Sequence, residues 1–141
     1  MGFHSVLHTG HNAYKKGNKL VYYVCHLIVR IIYQCDISLK ADIDETAYFG
    51  HSGFGIVVNP RASIGGGTSV QHCVTIGEMD PGGPAPVIGK CCYIGARAII
   101  LGDVHVGDGA KIGAGAVVLS DIPDGCTAVG VPARIVKETN D

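Results

Sequence analysis

The sequence predicts an all-β solenoid, a parallel β-helix of hexapeptide repeats preceded by one N-terminal α-helix. Three observations predict it: a large apolar residue every six positions, a small residue four places after many of them, and an amphipathic stretch ahead of the first repeat. The apolar series runs through Ile37, Ile43 and Phe49, then Val58, Ile64, Val70 and Ile76, then Ile88, Ile94, Ile100, Val106, Ile112 and Val118. The small residues are Ala41, Ala47, Gly53, Ala62, Thr68, Cys92, Ala98, Ala110 and Ala116. A period of six fits neither the 3.6 of a helix nor the continuous alternation of a long strand, so it requires short strands joined by regular corners. Each hexapeptide forms one face of a triangular prism with the aliphatic residue inward, and three make a coil, giving a little over four coils here. Glycine often follows the aliphatic residue directly, as at Gly65, Gly77, Gly89, Gly95, Gly107 and Gly113, and is expected to supply the backbone angles of the turns.

The phase breaks twice. From Phe49 to Val58 the step is nine, an insertion of about three residues around Gly50-His51-Ser52-Gly53-Phe54-Gly55. From Ile76 to Ile88 it is twelve; a degenerate hexapeptide would fill it, but the prolines and Gly82-Gly83 argue for a loop leaving the prism over residues 78–86. Loops on a rigid solenoid are where binding groups are carried.

Ahead of the repeats, Tyr22, His26, Arg30 and Tyr33 fall at helical spacing and leave Leu20, Val21, Val24, Cys25, Leu27, Ile28, Ile31 and Ile32 on a broad apolar face. This predicts a helix docked on its own domain or on a neighbouring subunit. Lys15, Lys16 and Lys19 precede it as in a signal peptide, but His26 and Arg30 interrupt the apolar run, no small-residue cleavage site follows, and the run is shorter than the about 20 residues a membrane span needs. The chain therefore divides into a helical segment (1–35), the β-helix (36–137) and a tail (138–141), with a cytoplasmic location expected.

A net charge of −1 and a charged fraction of 16% leave no basic field for a nucleic-acid backbone. The cysteines at 25, 35, 73, 91, 92 and 126 lie in apolar surroundings without metal-binding spacing and are expected to be buried, reduced thiols, with no metal site. The glycines of GDGAKIGAGA obey the six-residue period, so they are corners and not a nucleotide cradle. His72 and His105 lie within regular repeats and are expected to face outward, with His72 a candidate to line an acceptor pocket; His4, His8 and His11 carry no usable spacing. Asp42 and Asp44 are explained by solvation of turns.

From residue 36 to 137 the chain resembles the serine acetyltransferase branch of the hexapeptide-repeat acyltransferases. The segments that carry the resemblance are GHSGFGIVVNPRASIG (50–65), SVQHCVTIG (69–77), YIGARAIILGDVHVGDGAKIGAGAVVLSDIP (93–123) and GVPARIV (130–136). The resemblance implies a left-handed prism, an exception to the usual right-handed crossover. It also implies acetyl-CoA as acyl donor, a small hydroxyl-bearing acceptor and a homotrimer with active sites between prisms. His51 matches the family's general base and Asp36 the carboxylate that orients it. An imidazole suits the task because its reference pKa of about 6.5 keeps much of it neutral near pH 7. Gly77, Ala96 and Ala114 match backbone positions along the pantetheine arm, Arg134 and Lys137 positions near the nucleotide phosphates, and the Gly77 N–H is a candidate oxyanion donor.

The chain departs from the family where an Arg-His-Pro segment helps hold the amino acid acceptor; here the match is Pro84-Ala85-Pro86, which lacks the cation and the imidazole suited to a carboxylate. The family's large N-terminal helical domain is represented by one helix. Acceptors expected on these grounds are serine or a sugar hydroxyl of a polysaccharide precursor. The other reading is a non-catalytic hexapeptide-repeat scaffold or binding protein.

Overall fold

The computed structural model describes residues 2–137 and is a parallel β-solenoid of short strands on three faces, preceded by helices. One face stacks Asp36–Ile37, Val57–Val58, Thr75–Gly77, Ile99–Leu101 and Val117–Val118. A second stacks Asp42–Ile43, Ser63–Ile64, Val87–Ile88 and His105–Val106. The third stacks Tyr48–Phe49, Ser69–Val70, Tyr93–Ile94, Lys111–Ile112 and Thr127–Val129, and the antiparallel strand Arg134–Lys137 ends it. The register carries the repeat: Val58 lies over Ile76 and Ile100 over Val118, so inward aliphatics form columns. Of the thirteen periodic residues all but Ile43 are buried, and each such side chain contributes about 1.5–3 kcal/mol. Thr68, the polar member of the small-residue series, is fully buried and satisfied: its hydroxyl donates to the Gly89 carbonyl (2.7 Å) and accepts from the Cys92 N–H (3.1 Å).

Both phase breaks are insertions at corners. Phe49 and Val58 lie on consecutive faces, as do Ile76 and Ile88, so the twelve-residue step contains a loop and no extra strand. The loop is rooted at Glu78, which Arg61 and Asn59 from an earlier corner both engage.

The turn glycines divide differently from the sequence expectation. Left-handed backbone occurs three residues after the aliphatic, at Gly67, Gly109 and Gly115 but also at Ser52, Cys73, Cys91 and Arg97. The glycines directly after the aliphatic answer a different demand, close approach of stacked coils: a Cβ on Gly95 would lie 2.5 Å from the Ala114 nitrogen.

Two helices, not one, precede the prism. Helix α1 (Phe3–Lys15) buries Phe3, Val6, Leu7, Gly10 and Ala13 along one stripe. The glycine in that stripe hid it from the sequence reading, yet Gly10 is where the helix meets its neighbours: a Cβ there would lie 2.6 Å from a Leu39 methyl and 2.8 Å from the Cys25 Cβ. Helix α2 (Lys19–Leu27) is N-capped by the Asn18 side chain and continues as a wider turn, Ile28–Ile32, in which the Tyr33 N–H bonds to the Ile28 carbonyl. Cys25 and Val29 of this segment are buried, whereas Leu20, Tyr23, Val24, Leu27, Ile31 and Ile32 remain exposed. Among the described residues no helix is long and apolar enough to cross a membrane. The expected tail, 138–141, lies outside the described residues.

All six cysteines are free thiols, and Cys25, Cys35, Cys92 and Cys126 are buried as expected. Cys91 is exposed and Cys73 half-buried, because both occupy left-handed corner positions, from which the side chain leaves the prism. Burial pushes the Cys35 thiol up to about 11, well above its ordinary value. At pH 8 a thiol-exchange reagent is expected to label Cys91 in the native protein within minutes, and Cys35 only on unfolding. Replacing Gly95 by Ala is expected to destabilise the fold by about 1–3 kcal/mol in a urea titration, since backbone of the next coil must move.

Candidate active site

His51 sits on the turn Gly50–Gly53 that the nine-residue step inserts at the corner between the third and first faces. His51 (φ 50°, ψ 38°) and Ser52 (φ 54°, ψ 35°) are consecutive non-glycine residues in the left-handed region, a conformation that persists only where surroundings enforce it. The enforcement is visible on two sides. Toward the next coil, a Cβ on Gly50 would lie 2.8 Å from the Gln71 Oε1 and one on Gly55 2.8 Å from the Cys73 Sγ, and the Cys73 N–H donates to the Phe54 carbonyl (2.9 Å). Beneath the turn, Phe3 of α1 closes to 2.5 Å of the Cβ position of Gly53 and packs edge-on against Phe49 and Tyr33.

The clamp sets His51 beside His72. The two rings meet edge to face, centroids 4.8 Å apart at 87°, and with the half-exposed Phe54 they line an open recess of about 350 Å³. His51 is exposed; His72 is half-buried, and its Nδ1 is buried without a hydrogen-bond partner. Among the described residues no group of three His, Cys, Asp or Glu side chains converges on a metal-sized site, so the pair has no third ligand.

The register then places four residues on one edge of the prism. Phe49 pairs with Val70, Val70 with Ile94, and Ile94 with Ile112. Two residues beyond each come His51, His72, Ala96 and Ala114, rising along the same corner by about 4.8 Å per coil. The Arg97 N–H donates to the His72 carbonyl and the Gly115 N–H to the Ala96 carbonyl, so the column is tied together by backbone. Two imidazoles followed by two methyl groups make a track with polar chemistry at one end and little steric obstruction along the rest.

The other expected site residues lie elsewhere. Gly77 is at the far end of the adjoining face, on Thr75–Gly77. Arg134 and Lys137 are exposed on the last strand at the end of the prism, and among the described residues neither has an acidic partner; Arg134 donates to the Ala133 carbonyl. The Asp36 carboxylate accepts from Arg30 (3.4 Å) and makes no hydrogen bond to His51. Asp36 belongs to a strand of the first face, paired with Val57, while His51 stands on the corner before that face. Asp44 is a turn residue: hydrogen bonds from the Thr46 hydroxyl and N–H hold its carboxyl below the usual range. His105 faces outward beside Asp121.

A family model described as bacterial transferase hexapeptide (six repeats) matches residues 85–120. The serine acetyltransferase of Helicobacter pylori is 34% identical over 139 residues, covering 96% of this chain and 81% of that protein. The chain belongs to the serine acetyltransferase family. The serine acetyltransferase of Salmonella typhimurium is 40% identical over 139 residues, 96% of this chain and 50% of that protein; this chain spans about half the length of several curated relatives it matches. The crystal structure of the serine acetyltransferase of Brucella abortus strain S19 in complex with coenzyme A superposes with a TM-score of 0.88 at 35% identity, over 96% of this chain and 55% of that one.

Within this family frame, the pairing of His72 with His51 is what the sequence reading undervalued. The signal was present: once the insertion is placed at the corner, both histidines stand two residues after an inward-facing position, Phe49 and Val70. The role of α1 had no such signal, since Phe3 reaches the turn only through the tertiary fold. Gly53→Ala is expected to destabilise the fold, because it strains a residue at φ 77° and drives the turn off the Phe3 ring; a lowered urea midpoint is the measurement.

Proposed function

We propose that this chain is an acetyl-CoA-dependent O-acetyltransferase in which His51 is the general base. The observation that carries the reading is an imidazole held on a strained turn at the head of a corner that runs on through Ala96 and Ala114. An alcohol is a weak nucleophile toward a thioester until its proton leaves as the new bond forms, and a positioned base contributes about 10²–10⁴-fold. The acceptor oxygen attacks the thioester carbonyl carbon while its proton passes to His51. The tetrahedral oxyanion then collapses, the carbon–sulfur bond breaks, and the proton on His51 goes to the departing thiolate. No acyl-enzyme is needed, since both substrates are held together.

For the donor, backbone at Ala96 and Ala114 suits the amides of the pantetheine arm, and Arg134 and Lys137, neither with an acidic partner among the described residues, suit its phosphates. Gly77, at the end of the strand Thr75–Gly77, is assigned to the thioester end. A homotrimer belongs to the proposal through the family resemblance, and the uncovered Leu20, Val24, Leu27 and Ile31 stripe offers surface for subunit contact. Asp36 is the carboxylate that the resemblance pairs with His51, and in this structure one of its oxygens accepts from Arg30. Serine is the acceptor in whose name the relatives stand, but Pro84 and Pro86 bring no side-chain donor to it. A sugar hydroxyl is the acceptor class that asks least of that loop.

Thiol release from acetyl-CoA, followed against serine, homoserine and several sugars, tests the reading. Turnover with at least one acceptor is expected, with His51→Ala at least 10²-fold slower while acetyl-CoA binding persists, and Asp36→Asn slowed about tenfold or less. Unchanged turnover in His51→Ala removes the base assignment. A silent panel without acetyl-CoA binding points to the scaffold reading instead.

A further inference from the structure

We propose that His72 is a second substrate-touching residue of this site, donating a hydrogen bond from Nε2 to an oxygen of the acceptor while His51 takes the proton of the reacting hydroxyl. The proposal rests on the reading of His51 as base and adds a division of labour between two imidazoles.

Three observations carry it. His72 is fixed where it stands: its carbonyl accepts from the Arg97 N–H (3.1 Å), and its neighbours Gln71 and Cys73 are the residues on which the His51 turn is clamped through Gly50 and Gly55. The two rings therefore share a recess through the contacts that the turn makes with the residues on either side of His72. Next, the Nδ1 of His72 is buried and unpartnered. A neutral imidazole carries one N–H and one lone pair, and orphaned buried N–H groups are rarer and costlier than under-used acceptors. The tautomer that avoids one carries its proton on Nε2, which makes this ring a donor toward whatever occupies the recess. Last, the recess is lined by His51, Phe54 and His72, and no hydrogen bond joins the two imidazoles. With His51 committed to the reacting proton, His72 is, among the described residues, the one lining side chain left that can hydrogen-bond an acceptor oxygen. At 4.8 Å between centroids the two rings touch edge to face, so a group that enters the recess meets both of them.

The chemistry asks only for an acceptor with an oxygen beside its reacting hydroxyl, a vicinal hydroxyl or a carboxylate. The test compares His72→Phe, which keeps a ring and removes the donor, with His72→Gln, which keeps an N–H donor without the ring. Both are assayed with whichever acceptor the wild-type protein turns over. For His72→Phe the acceptor KM is expected to rise about tenfold or more with the acetyl-CoA KM within about twofold, and His72→Gln is expected to recover most of that loss. Because the buried nitrogen has no partner to lose, His72→Phe is expected to melt at or above the wild-type temperature; should it fail to fold, His72→Leu serves as the donor-less variant. An acceptor KM unchanged in the donor-less variant overturns the proposal, and so does equal damage from Phe and Gln, since a retained N–H donor would then recover nothing. A wild-type protein that turns over no acceptor overturns the base assignment and this proposal with it; an active wild type with an indifferent His72→Phe overturns this proposal alone.

Discussion

The in-register stacking of one coil on the next is the constraint from which the remaining features follow. Every coil hydrogen-bonds to its neighbours through strands only two to four residues long, and such short strands are stable because the same aliphatic column runs through all of them. Stacking at about 4.8 Å fixes the fate of each position in the six-residue unit: one side chain faces inward, one must be small, one is crowded by backbone of the next coil. It also fixes the columns outside. Residues two places after the inward aliphatic on the third face rise along one corner, and this is how His51, His72, Ala96 and Ala114, spread over 64 positions of sequence, come to share a track.

Where the register is broken, it is broken with support. The turn that carries His51 holds two consecutive left-handed residues, and it is held by glycines against Gln71 and Cys73 on one side and by Phe3 on the other. Strain of this kind persists only when the surroundings over-determine it. Helix α1 is therefore part of the site's scaffolding as much as of the fold: it covers the first coil with Val6 and Leu7 and reaches the turn with Phe3.

Much of this was legible in the chain before any coordinates, and the reasons differ by residue. The aliphatic columns could be read because burial in a solenoid repeats at a fixed period, and the two interruptions could be read against that period. The turn that carries His51 could be read as one of those interruptions, and the family resemblance singled out His51 within it. The positions of left-handed backbone were misassigned, since glycine marks two separate demands, torsion and close approach, and Ser52, Cys73, Cys91 and Arg97 meet the first without being glycine. Helix α1 was missed because Gly10 interrupts its apolar stripe at the contact where a larger side chain has no room. The partner of Asp36 was beyond reach: Arg30 arrives from the wide turn after α2, and nothing in the repeat says where that side chain points.

The two ends of the prism are finished differently from its sides. At the start, α1 lies over the first coil; at the finish, Arg134–Lys137 reverses direction against Thr127–Val129, and the Ala133 N–H bonds to the Val117 carbonyl across the last coil. A bare solenoid terminus is an open template on which another molecule's coil can continue the stack, the route by which parallel repeats grow into fibres. With a helix over the first coil and a reversed strand on the last, neither end of the described stack presents a bare parallel coil for another to extend.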